Sequence, residues 1–128
     1  METKRPHLLA LDGDEAVLRQ IAQIAGPFFE TLTTRDPRRL LGWASTFAAH
    51  TAAVVTEHVL ETAMGVALLE QIRSMCPGAR RVLMTTYHDL TSIVDGIHSG
   101  VIDCVVPKPC SPAELLGAVM PVRLRASA

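Results

Sequence analysis

The chain is short of cysteine, and what it has cannot all be paired: Cys76, Cys104 and Cys110 are an odd set with no zinc-ligand spacing. A disulfide framework and a structural zinc site are therefore excluded, and a reduced, cytoplasmic setting is expected. A long apolar run is also missing. Residues 43–69 are the most apolar stretch, but His50, Glu57, His58 and Glu61 interrupt it, and a membrane span needs about 20 apolar residues in series. Residues 1–5 are polar and the apolar run after them is short, so neither a leader peptide nor a membrane partner is expected. There is no excess of basic charge. The formal net charge is -1, which removes the usual electrostatic ground for a nucleic-acid partner. The small basic stretches at 35–39 and 79–81 read as solvated surface. Repeats and low-complexity segments are absent as well.

What is present is an alternation. With 128 residues, 48% of them apolar, the chain suits one domain around one core. Short apolar runs at 7–11, 28–34, 51–56, 81–86 and 101–106 have the length and composition of buried strands. Between them lie stretches with apolar residues three and four apart. Val17, Leu18, Ile21, Ile24 and Ala25 mark the first, opened by the acids Asp14 and Glu15 and stopped by Gly26-Pro27. Asp36-Pro37 starts a second helix through Leu40, Leu41, Trp43 and Ala44. A third runs over 63–74 to Pro77-Gly78. A fourth, with Asp89 as its cap, carries Ile93, Val94 and Ile97 and ends at Gly100. Ser111-Pro112 caps a last helix over 113–119.

Five strand–helix units with strands this apolar imply a parallel sheet covered on both faces. Right-handed crossovers leave few topologies. The expected architecture is a flavodoxin-like, doubly wound (βα)5 α/β fold with strand order 2-1-3-4-5. Residues 1–121 would form the domain, and 122–128 a tail or the start of a linker. In such sheets the functional crevice lies at the carboxyl ends of the strands. Asp12 and Asp14 follow the first strand, Glu57 the third, Thr85 and Thr86 end the fourth, and Lys108 follows the fifth. Each has a plain role alone, as a cap, a strand residue or a surface lysine. As a set they can converge. Oxygen ligands of this kind hold magnesium, a hydroxyl and an ammonium bind phosphoryl oxygens, and a central carboxylate can accept a phosphoryl group.

On these residues the chain resembles the receiver domains of bacterial two-component response regulators. The resemblance runs from about His7 to Val119 and is strongest over 81–116, RVLMTTYHDLTSIVDGIHSGVIDCVVPKPCSPAELL. There Thr-x-Tyr-x-Asp, the helix leading to Ser-Gly, and Lys-Pro followed by Pro-x-Glu-Leu occur together. The loop before Lys108 is similar to the Lys-Pro-Trp type, with Cys110 in place of the tryptophan. The resemblance implies that Asp12 and Asp14 form the acidic pocket, that Glu57 occupies the phosphoacceptor position, and that Thr85 and Lys108 are the switch hydroxyl and the phosphate-contacting lysine. It also marks departures. Gly13 stands where the family has a second acid, Val105 where it has an aromatic switch, and Glu61 where the acceptor loop has proline.

Those departures shape the expected function. Gly13 withholds a ligand from a magnesium ion that demands near-octahedral geometry, so the site at Asp12 and Glu57 is expected to hold the ion weakly or not at all, and no other cofactor is expected. Glu57 is one methylene longer than aspartate and reaches into the space of the incoming group. A misplacement of that kind can cost about 100-fold in rate. The reading is a non-enzymatic receiver-like domain with impaired phosphorylation that works by docking. Glu57 would then either imitate a bound phosphate or simply be inert. The implied partners are a histidine kinase or other signalling protein, a covalently linked output domain, or a second copy through the last helix–strand–helix face. Two readings stay open beside it: a working phosphorylated switch, and a small-ligand module of flavodoxin type. The latter is opposed by the acidic Asp12-Gly13-Asp14 turn where a Gly-rich phosphate loop would be needed.

Overall fold

The computed structural model describes residues 5–86 and 90–120. Asp89, expected to cap the fourth helix, and the expected boundary between domain and tail at 121 and 122 lie outside the described residues, as do Tyr87 and His88. The elements alternate as β1 (His7–Leu11), α1 (Glu15–Ala25), β2 (Glu30–Thr34), α2 (Pro37–Thr46), a short 3-10 turn (Ala48–His50), β3 (Thr51–Glu57), α3 (Gly65–Met75), β4 (Arg80–Thr85), α4 (Leu90–His98), β5 (Cys104–Pro107) and α5 (Pro112–Val119). All strand pairs are parallel and the order is β2-β1-β3-β4-β5. The flavodoxin-like α/β sheet read from the sequence is therefore the observed one.

Side chains of a strand point alternately to opposite faces, and here both faces are covered. Leu8, Ala10, Ala53, Val55, Val82 and Met84 pack toward Leu18 and Ile21 of α1 and Leu115 and Ala118 of α5. Their neighbours Leu9, Leu11, Val54 and Leu83 pack on the other side against Leu40 of α2, Leu69 and Ile72 of α3, and Ile93 of α4. Two buried faces explain why these strands read as unbroken apolar runs. Each fully buried Leu among them stabilises the fold by about 1.5–3 kcal/mol.

Local chemistry sets the helix starts. Asp14 accepts from the Ala16 N–H and Asp36 from the Arg38 N–H, while Ser111 and Glu114 form a reciprocal capping box at α5. Two strands start later than their sequences imply. Phe28 and Phe29 form a turn in which both N–H groups donate to the Ala25 carbonyl, although Phe29 is buried. Val101 and Ile102 are likewise core residues of a loop, both donating to the Gly96 carbonyl. Gly100 between α4 and this loop has φ +82°, a conformation suited to glycine.

Arg81 corrects the reading of 79–81 as solvated surface. Its side chain is buried, and its guanidinium donates to the carbonyls of Val101, Ala79, Pro77 and Gly100, with Asp103 at 3.8 Å. It ties the α3–β4 loop to the α4–β5 loop beneath the sheet. Cys76 is buried, and burial pushes its thiol up. Among the described residues no helix is long and apolar enough to cross a membrane.

Candidate functional site

Three strand ends deliver the charges. Asp12 follows β1 directly, and its N–H still donates to Thr34 of β2 at 3.3 Å, so its position continues the ladder. Glu57 is the last residue of β3 and lies opposite Met84 in register. Lys108 follows β5, and its N–H donates to the Thr85 carbonyl at 3.1 Å. The peptide between Lys108 and Pro109 is cis. The parallel order places β3 between β1 and β4, with β5 beyond, so these ends meet over one edge of the sheet.

Their geometry is a bridged pair of carboxylates. The Lys108 Nζ lies 2.8 Å from Asp12 Oδ2 and donates to Glu57 Oε1 at 2.8 Å. The Gly13 N–H donates to Glu57 Oε2 at 3.2 Å, and the Asp14 N–H donates to Asp12 Oδ1 at 2.8 Å. Every oxygen of the two carboxylates thus faces an ammonium or an N–H donor. Asp12 is only 1% exposed, Lys108 13% and Glu57 24%, so the cluster opens to solvent on the Glu57 side. Burial pushes the Asp12 carboxyl above its ordinary value, outweighing the Lys108 contact and the Asp14 N–H that pull it down. Burial also pulls on Lys108, downward, but its contacts with Asp12 and Glu57 prevail and the ammonium ends above its ordinary value.

Of the residues read from the sequence, Asp12, Glu57 and Lys108 come together. Thr85 is buried at the end of β4, and its carbonyl holds the Lys108 backbone. Asp14 does not join the pocket. Its carboxylate turns back to cap α1, and only its N–H serves the site. Val105 is half-buried against the α2–α3–α4 side of the core. Gly13, read as a missing acid, contributes its N–H to Glu57, a backbone role with no signature in the sequence. His58, next to Glu57, is buried: its N–H donates to Met84 and its carbonyl accepts from Gly65.

For a magnesium ion this donor set is poor. Asp12 and Glu57 share one ammonium, Asp14 is spent on a helix cap, and position 13 has no side chain. Magnesium takes six oxygens at ~2.0–2.1 Å, and beside Lys108 the two acids would supply at most one or two of them, leaving the rest to water. Among the described residues, no group of three or more His, Cys, Asp or Glu side chains is arranged to hold a metal ion.

No protein-family model matches the sequence, and no curated protein does. Solved structures do match. The signal receiver domain of an HD domain-containing protein from Pseudomonas fluorescens Pf-5 is similar at 27% identity with a TM-score of 0.80, over 99% of this chain and 89% of that one. A CheY-like response regulator receiver domain protein from Methanospirillum hungatei JF-1 is similar at 22% identity with a TM-score of 0.81, over 97% and 94%. A response regulator receiver domain protein from Clostridium thermocellum is similar at 19% identity with a TM-score of 0.83, over 95% and 97%. The fold of this chain is that of response-regulator receiver domains.

Proposed function

We propose that the chain is a cytoplasmic receiver-like signalling domain of a two-component system whose pocket does not take up phosphate and which acts by docking to other proteins. The observation that carries this reading is the Lys108 ammonium, in contact with Asp12 and Glu57 at 2.8 Å each. A receiver pocket needs that ammonium for phosphoryl oxygens and needs its acids for a cation. Here the two requirements work against each other, because the lysine is shared between the acids and the acids occupy the lysine.

The contact also favours imitation over simple loss of chemistry. Glu57 Oε1 is placed on Lys108 as an oxygen of a bound phosphoryl group would be, and Oε2 accepts from a backbone N–H. A pocket filled by its own side chain holds one state. With valine at 105, no aromatic side chain is there to report a change. Output would then pass through a fixed surface, the α4–β5–α5 face, where Val94 and Ile97 stand exposed one helical turn apart. The partners would be a histidine kinase or other signalling protein, a linked output domain, or a second copy.

The test is direct. Amide spectra are recorded with magnesium, then with added beryllofluoride or acetyl phosphate, and a phosphate-affinity gel is run after incubation with a donor kinase. Unchanged resonances at Asp12, Glu57 and Lys108 and an unshifted band are expected. A phosphorylated band would establish the competing reading, a working switch on a glutamyl acceptor.

A further inference from the structure

A second cavity lies behind Lys108, on the side of the sheet covered by α1 and α5. Its volume is about 260 Å³. Ile21 of α1, Met84 of β4 and Leu115 of α5 form its floor, and all three are buried. Gln20 and Thr86 also line it, and both are exposed, which places the mouth between them. Lys108, Pro109 and Cys110 supply one wall, and Val17 and Ile24 of α1 complete the lining.

The charges around the cavity decide what it can hold. Lys108 is the one cationic residue among the described wall residues, and that ammonium is already held by Asp12 and Glu57. What Lys108 offers is its hydrocarbon stem. The Cys110 thiol is pushed up, first by burial and then by Glu114, so at neutral pH it stays protonated and acts as an apolar wall. Among the described lining residues, an anion would find no uncommitted positive charge, and a cation no uncommitted carboxylate. An apolar cavity of ~150 Å³ accommodates benzene, so this one has room for about ten non-hydrogen atoms by the same ratio.

We propose that this cavity is a binding site for a small, uncharged, mostly apolar molecule that enters between Gln20 and Thr86 and rests on Ile21, Met84 and Leu115. The site does not depend on the phosphate-free reading of the neighbouring pocket. It also differs in place from a nucleotide crevice over β1 and β3.

Indole and benzoate serve as probes, being alike in size and different in charge. Titration of the isotope-labelled domain with indole should shift the amides of Ile21, Met84, Cys110 and Leu115 saturably in the millimolar range or below. Benzoate should leave them in place. Indole should also slow alkylation of Cys110 by iodoacetamide several-fold, read by peptide mass spectrometry, with Cys104 unaffected. Filling the cavity from its rim by Val17→Phe should abolish both effects. Because the alkylation readout needs no variant, a Val17→Phe chain that fails to fold does not shield the proposal. Non-saturable shifts, shifts centred on Val94 and Ile97, equal binding of benzoate, or unprotected Cys110 would each overturn it.

Discussion

Two side chains carry more of this molecule than their residue types suggest. Arg81 satisfies loop carbonyls that lie away from water, through a planar fork of donors. Arg81→Met would leave those acceptors unpaired, and a loss of about 3 kcal/mol is expected in urea unfolding. Arg81→Lys should recover little of it, since one ammonium on a flexible stem cannot reproduce the fork. A loss below about 1 kcal/mol would mean that the carbonyls find other partners. Lys108 is the second case. Lys108→Met leaves two acids facing each other, and a cost of about 2 kcal/mol at neutral pH is expected, less than for a fully buried pair because Glu57 is partly solvated. The pH dependence follows from the directions of the shifts. Asp12 has a raised value, so it favours the folded state below its ordinary 3.8, and that stability is lost as pH rises through the folded value. Lys108 is also raised, so its contribution is intact below 10.5 and disappears as pH climbs through its folded value. The alkaline decline of the urea midpoint above 10.5 should be shallower in Lys108→Met than in the parent chain.

At the scale of elements, the same substitution has opposite signs in two helices. A Cβ at Gly65 would sit 2.2 Å from the Glu57 carbonyl, which is backbone and cannot swing aside. Gly65→Ala must therefore displace the start of α3 or the end of β3, at a cost of about 2–3 kcal/mol. Gly42, exposed inside α2, has nothing within 4 Å of such a Cβ, so Gly42→Ala should stabilise by about 0.5–1 kcal/mol. Thermal unfolding of the two variants checks both signs. The elements themselves were legible because strands buried on both faces and amphipathic helices leave different periods. The errors fall where a loop is as buried as a strand. Phe29 and Ile102 are core residues whose backbone bonds go to Ala25 and Gly96, not to a neighbouring strand, and apolarity alone does not separate the two cases. The candidate site was legible in the same uneven way. An acid after a strand can be a pocket group or a helix cap, and Asp12 and Asp14 turn out to be one of each. Nothing in the order of residues distinguishes buried Arg81 from the exposed arginines of 35–39.

The whole molecule joins these local facts at one edge of the sheet. The parallel sheet brings three loops from distant parts of the chain to one edge, and a single ammonium fastens two of them to the third. On the reading proposed above, two changes are needed together before the pocket takes up phosphate. Glu57→Asp shortens the side chain by about 1.5 Å, which withdraws the carboxylate from Lys108 and from the Gly13 N–H. It adds no ligand for a cation. Gly13→Asp adds a carboxylate where there is room, since a Cβ at position 13 would meet only Glu57 Oε2, at 3.7 Å. By itself it leaves Glu57 clamped and adds repulsion beside it. Each single variant should therefore remain unmodified by acetyl phosphate and magnesium, while the double variant should gain a phosphoryl group detectable by intact mass. The double variant should also be the one whose melting temperature rises most with magnesium, because only there is a third carboxylate combined with an acceptor side chain withdrawn from Lys108. Uptake by the Glu57→Asp variant alone would show that chain length at position 57 is the whole obstacle and that the missing acid at 13 is immaterial.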